Sequence, residues 1–473
     1  MLTQPLPLSK TKTSNSLKQQ GYASDKMALA FLALALSYLA MGLLFGVLGS
    51  LQYILPPFLK DQFGFQKTRP LHVYLVISWI FTAAQGGLYY YVPRIVHRNM
   101  YWQGGVKLHW LLQALTSFSI VVAFFNGSFG GREYLEFPPL LGLAIAFTWL
   151  PFAVNFFLTL RPQLKEAPVY FFSWTLGICF FYITLSESYL WVFDYFRTNE
   201  VRDITVQWKA LGSMVGSWNM LVYGTSMYIM EKMKGDTKMS RSPMAFFFFF
   251  LGFTNLLFNW GHHTYIVPAA PWVKTVAYVI SMTELLIFGN LLLKWRKTIS
   301  NARKNFHILP FQFLSYADWW IFLNLGVAIL ISIPQLNYYT HGTHITVAHA
   351  MGTTIGINTM LLFGSVVYIL QQQKPQLLER YRGCIAKGGA ITNIALIFFW
   401  TSLVGSGLIK IASKLNKDAF SIMMQKCQPL FKVFAFSGAF IWLGLGLLIV
   451  AAWKIIFKKD RGEGMFEPGF GEI

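Results

Sequence analysis

Thr340-His341-Gly342-Thr343-His344-Ile345-Thr346-Val347-Ala348-His349-Ala350-Met351 opens an apolar run long enough to cross a bilayer. Polar rings at the head of such a run are expensive in hydrocarbon and are kept where they do something. Neutral imidazole is also the commonest metal ligand. Upstream, Asn259-Trp260-Gly261-His262-His263-Thr264-Tyr265 closes another apolar run with two adjacent histidines. Together the two stretches point to an integral membrane protein that holds metal or haem.

Composition agrees. The chain has 473 residues, 55% of them hydrophobic and 17% aromatic, with only 12% charged. A soluble domain carries roughly 25% charged residues. Apolar residues fall in runs of roughly 20, the length of a membrane-spanning helix. The expected fold is therefore all-α, one polytopic membrane bundle of about twelve transmembrane helices. They begin near Met27, His72, Leu108, Pro139, Val169, Trp208, Met244, Trp272, Trp319, Ile345, Gly389 and Val433. Residues 1–26 read as a cytoplasmic tail, 27–458 as the haem-binding membrane domain and 459–473 as a second cytoplasmic tail. The first apolar run is followed by no clear cleavage site, so it reads as a retained span and not a signal peptide.

A net charge of +20 could indicate nucleic-acid binding, but its distribution excludes that reading. With the N-terminus inside, the inner segments hold about 26 of the 39 lysines and arginines, as the positive-inside rule requires. The outer loops hold about 11, mostly after Pro56 and between the last two spans. Basic residues are thus topology signals in a lipid bilayer, the bacterial inner membrane being the one this topology fits. Cys179, Cys384 and Cys427 are too few and too scattered for a disulfide framework or a thiolate metal site.

Alternation of the spans gives each candidate ligand a side. His72 opens the second span, His262 and His263 close the seventh, and His341, His344 and His349 lead into the tenth. All fall at the outer end. His97, His307 and His109 fall at the inner end and read as boundary residues. Residues two apart on a helix point about 200° apart, so His349 and Met351 would serve two centres on opposite flanks of one helix. Glu284 lies about halfway along the eighth span, where desolvation raises a carboxyl pKa and suits a proton carrier; a carboxyl bonded to a neighbouring helix is the plainer reading. Glu133 and Glu136, three apart in an outer loop, offer oxygens to a hard cation such as Ca²⁺ or simply face water.

The pattern resembles the large, catalytic subunit of cytochrome c-dependent nitric oxide reductase, in the haem–copper oxidase superfamily. The likeness covers nearly the whole chain. The stretch from Thr340 to Met351 is similar to that family's Thr-His-Gly-Thr-Gln-x-Thr-Ala-Ala-His-Gly-His. Arg69-Pro70-Leu71-His72 resembles the segment holding its first low-spin haem ligand, and Gly261-His262-His263 its paired ligands for a non-haem iron. Gly131-Arg132-Glu133-Tyr134-Leu135-Glu136 resembles a loop whose first glutamate helps bind calcium, and Glu284 stands 21 residues after His263, as a buried family glutamate does. The resemblance implies two haems b, one held by His72 and Met351 and a high-spin one held by His349. It also implies a non-haem iron or copper at His262 and His263 and Ca²⁺ at Glu133. It further implies a membrane-anchored cytochrome c partner, a small gaseous substrate and reduction of nitric oxide to nitrous oxide. Quinol-fed variants carry a long N-terminal extension, which is why the cytochrome partner is the expected one.

Two departures qualify this. The family's sixth span carries His-x-x-x-Glu-Gly-x-Trp-Glu; here the corresponding positions are Leu211, Val215 and Asn219, with Gly216 and Trp218 kept. Leucine cannot ligate a metal, so the second metal would need another ligand, differ or be absent. The family's second low-spin histidine is Met351, and a Met/His pair raises a haem's reduction potential; His344 is the rival ligand. The readings left open are a reductase with an altered second metal, other nitric oxide or oxygen chemistry such as dismutation, and a non-catalytic electron-transfer or gas-sensing subunit. A haem-free transporter is disfavoured by the clustered outer histidines. Glu284→Gln should slow proton-coupled turnover without removing haem; full activity in that variant would discount a proton role.

Overall fold

In lipid every backbone N–H and C=O must be paired within its own segment, so apolar runs become helices. The computed structural model describes residues 21–160, 167–280 and 283–458, apart from the side chain of Glu284. Twelve long helices follow in order. They are α1 (Asp25–Leu51), α2 (Phe65–Val96), α3 (Gln103–Phe125), α4 (Pro139–Leu160), α5 (Val169–Glu187) and α6 (Glu200–Lys234). Next come α7 (Pro243–Phe258), α8 (Pro271–Thr298, described on either side of 281 and 282), α9 (Ile308–Ser332), α10 (His344–Gln373), α11 (Pro375–Leu415) and α12 (Phe420–Phe457). The described residues contain no strand, only one isolated bridge between Arg132 and Leu135. The expected tails lie outside the described residues at 1–20 and 459–473; Asp25 and Lys26 already belong to α1.

Eleven of these segments are long and apolar enough to cross a membrane. The expected span near Trp208 is α6, a 35-residue helix. It has too many polar residues to read as a lipid-facing span because it runs through the middle of the bundle. Ser213, Ser217, Asn219, Thr225 and Ser226 are all buried on it. Neighbouring helices satisfy them: Ser213 donates to the carbonyl of Leu256 at 2.7 Å, and Ser217 to that of Gly177 at 2.7 Å.

Several helices begin well before their apolar portions. α2 starts at Phe65, α11 at Pro375 and α12 at Phe420, where hydropathy alone marks His72, Gly389 and Val433. The turns that precede the apolar portions carry charged residues, among them Lys67, Glu379 and Lys426.

Small residues set the closest helix contacts, as is usual where lipid removes the hydrophobic drive between helices. On α1, Gly42, Gly46 and Gly49 face α2; a Cβ on them would come within 2.9 Å of Val76, 2.7 Å of His72 and 3.3 Å of Thr68. At the opposite end Arg94 clamps Asp25 through two bonds of 2.7 and 2.8 Å and lies over the Tyr90 ring. α11 and α12 form a hairpin in which Gly388 and Gly444 touch backbone to backbone. A Cβ at Gly444 would lie 2.5 Å from the Thr392 hydroxyl and 2.9 Å from the Gly388 carbonyl. Gly444→Val should therefore lower thermal stability in detergent by about 1–3 kcal/mol through overpacking; an unchanged melting curve would mean the hairpin parts easily.

Candidate functional site

A cavity of about 870 Å³ opens between the helices at one end of the bundle. Its wall includes His72, His262, His263, His341, His349, Met351 and Glu133. Three distant segments thus bring their histidines to one space, the histidine end of the bundle.

His72 is set by α1. Its Nδ1 lies 2.7 Å from the carbonyl oxygen of Gly42. A carbonyl only accepts, so Nδ1 carries the proton and Nε2 keeps its lone pair. That tautomer is the one a metal-binding imidazole adopts when its other nitrogen is held by a carbonyl. Gly46 leaves room for the ring.

His349 and Met351 sit on the first turns of α10. Thr343 caps this helix, its hydroxyl accepting from the Ile345 N–H at 3.2 Å, after a turn in which Gly342 has φ +73°. From Gly352 to Thr359 the helix widens to π geometry, a distortion common beside functional sites. Buried Asn324 of α9 ties down its start: its amide N–H groups reach the His349 carbonyl at 3.0 Å and the Thr353 hydroxyl at 2.9 Å. A Cβ at Gly352 would collide with Asn324, at 2.5 Å.

His262 and His263 lie in a tight 3-10 turn, Asn259–Thr264, with ring centroids 4.1 Å apart. Asn259 Oδ1 lies 3.1 Å from His262 Nδ1 and accepts a hydrogen bond from it. Trp208 of α6 stacks flat on His263, 4.3 Å away at 4°. The His341 ring stands 6.2 Å from that of His263, edge on. Burial pushes the His341 imidazole below its usual range, so it is neutral at pH 7. α6 reaches this turn through Gly212 and Gly216, whose Cβ atoms would lie 2.5 Å from Trp260 and 2.7 Å from Leu256. Leu211, Val215 and Asn219 line the same cavity as the histidine pair.

At the cavity rim Arg69 bridges Glu133 and Glu136 at 2.6 and 2.5 Å. One oxygen of each carboxylate is thereby taken by a guanidinium, with which a calcium ion would compete. Glu284 lies on α8, its side chain outside the described atoms; its neighbour Leu285 lines the cavity.

Residues 26–441 match the model of the family "Cytochrome C and Quinol oxidase polypeptide I". The chain belongs to that family. A nitric oxide reductase chain of Stutzerimonas stutzeri is 23% identical over 372 residues, 74% of this chain and 76% of its own. A Cbb3-type cytochrome c oxidase subunit CcoN1 from the same organism is 21% identical over 440 residues, covering 85% and 88%. The fold is that of a heme-copper terminal oxidase dimer solved by cryo-EM, with a TM-score of 0.70 and 13% identity over 95% of this chain and 86% of the other. The protein is thus an integral membrane oxidoreductase subunit of the haem–copper oxidase superfamily, whose members bind haems.

This donor set suits haem: an imidazole with its Nδ1 tied to backbone, a second imidazole and a thioether share one cavity. It suits a further metal less well. Among the described residues no three of His, Cys, Asp and Glu are grouped to hold a metal ion.

Residues that sequence reasoning passed over are Gly46, Trp208 and Asn324. Gly42-x-x-x-Gly46 and Gly212-x-x-x-Gly216 are the small-residue spacing of close helix pairs, a signal that would have found the first contact and the approach of α6. Asn324→Leu leaves the His349 carbonyl and Thr353 without that partner, a loss of roughly 1–3 kcal/mol. It should shift the absorption of haem held by that turn, whether through His349 or through Met351; an unaltered spectrum would mean Asn324 does not position the turn.

Proposed function

We propose that this chain is the large, haem-carrying subunit of a nitric oxide reductase-like complex. It sits in a bacterial inner membrane with both termini cytoplasmic and takes electrons from a membrane-anchored cytochrome c. In this reading His72 and Met351 hold one haem b, and His349 holds a second. The reaction joins two nitric oxide molecules with two electrons and two protons to give nitrous oxide and water. The observation that carries the reading is the meeting of His72, His349, Met351, His262 and His263 on one cavity. Haem bound there supplies one-electron storage and an iron able to bind a diatomic gas. The chain's own residues do the rest. Gly42 fixes the His72 tautomer, and Asn324 holds the turn carrying His349. Leu211, Met214 and Val215 form an apolar wall that limits water beside the histidine pair. His262 and His263 offer nitrogens to a second metal, iron or copper, and Glu284 is the proton carrier. Glu133 serves a calcium ion only if that ion displaces Arg69.

A second reading is favoured by Leu211, Val215 and Asn219 on the cavity wall. A paralogue without the second metal would do other nitric oxide or oxygen chemistry, such as dismutation, or would transfer electrons or sense gas. Haem, iron and copper counted per purified chain separate the two. Two haems and one further metal support the reductase. Two haems alone support the second reading, and Leu211→His should then raise non-haem metal toward one per chain. A preparation without haem would refute both. Met351→His should lower the potential of the haem at His72; an unmoved potential would mean Met351 is not its ligand.

A further inference from the structure

The hairpin between α11 and α12 carries Lys410, Lys414, Lys417, Lys426 and Lys432 against a single carboxylate, Asp418, a net charge of +4. It lies at the histidine end, which the basic residues elsewhere make the outer side. Lysines are depleted from short loops on that side, so this cluster works against the topology signal. Of these five lysines only Lys426 meets a carboxylate among the described residues, Asp418 at 2.6 Å, while Lys414 lies over the Tyr338 ring at 5.2 Å.

The lysines also stand high. The apolar part of α12 begins near Val433, and the helix itself begins at Phe420. At ~1.5 Å per residue that leaves about 20 Å of helix beyond the hydrocarbon, whereas the headgroup layer is roughly 5–8 Å deep. Lys414, Lys417 and Lys426 therefore clear the lipid phosphates. Apolar side chains lie among them: Leu415 is 61% exposed, Phe420 73% and Ile422 46%. An apolar centre ringed by cations is complementary to an acidic partner, whose charges the rim would steer and register. The platform is stiff, because Gly405 lets α11 close on Leu430 just below the tip. It also adjoins the cavity: Gln428 donates to the Tyr53 carbonyl at 3.1 Å, the Phe431 ring lies 5.0 Å from that of Tyr53, and Tyr53 and Phe434 line the cavity wall.

We propose that this hairpin tip docks an acidic protein domain, the water-facing part of the electron-donor subunit, directly above the cavity. The binding rests on the outward sidedness read from charge. Only the partner's role as donor rests on the function proposed above.

The test uses the full chain in nanodiscs of zwitterionic lipid and a fluorescent polyglutamate as probe. Binding should be saturable and should weaken from about 0.05 to 0.3 M salt. The combined variant Lys414→Glu, Lys417→Glu, Lys426→Glu should weaken it about tenfold, and the same reversal at Lys294, Lys297 and Lys304 on the other end should not. If the triple variant fails to fold, Lys→Gln at the same three positions should still weaken binding about threefold. Absence of binding, or equal binding by the variants, would overturn the proposal. Lysine-dependent binding to anionic vesicles with none to polyglutamate would overturn it too, making the hairpin a lipid contact. Polyglutamate binding with no haem in the protein would leave the docking surface standing and remove the donor role.

Discussion

The 2.7 Å hydrogen bond from the His72 ring to the Gly42 carbonyl is where the geometry of the site begins. It requires the α1 and α2 backbones to approach until no side chain fits between them, which Gly42, Gly46 and Gly49 allow. A carbonyl in mid-helix already accepts the N–H four residues on, and its second lone pair is free for the imidazole. One backbone contact therefore fixes helix spacing, ring orientation and tautomer together. The other candidate residues are held by the same kind of device: Asn324 reaches into α10, and Ser213 hooks α6 onto the carbonyl of Leu256 beside the histidine turn.

The bundle was legible because lipid imposes a coarse rule, and eleven apolar stretches obey it. Helix ends were less legible. Hydropathy reports where lipid begins, not where the helix does, so α11 and α12 run on past their apolar parts to Pro375 and Phe420. The histidines declared themselves by their cost in a membrane. Their supports did not, because Gly46, Trp208 and Asn324 act through shape and reach, and such residues are common in any bundle. The guanidinium between Glu133 and Glu136 was equally hidden: Arg69 sits more than sixty residues away in sequence.

α6 separates packing from chemistry. Gly212, Ser213 and Gly216 keep the helix pressed on the turn bearing His262 and His263. The adjoining positions Leu211, Val215 and Asn219 present two alkyl groups and an amide to the cavity. Asn219 has found a partner in Asn358 of α10, at 3.1 Å. The scaffold is thus complete around a face with few donors, and the flat stack of Trp208 on His263 fills part of that space.

The π stretch from Gly352 to Thr359 has a mechanical consequence of its own. A π turn holds more residues than an α turn, so the two ends of α10 are out of rotational phase with each other. The end bearing His349 is turned to suit the cavity and Asn324, while the far end is turned to suit Phe363 against Trp79 and Ser365 against Tyr91. Neither end dictates the facing of the other. The widened segment thus sets the facing of His349 separately from the packing beneath it.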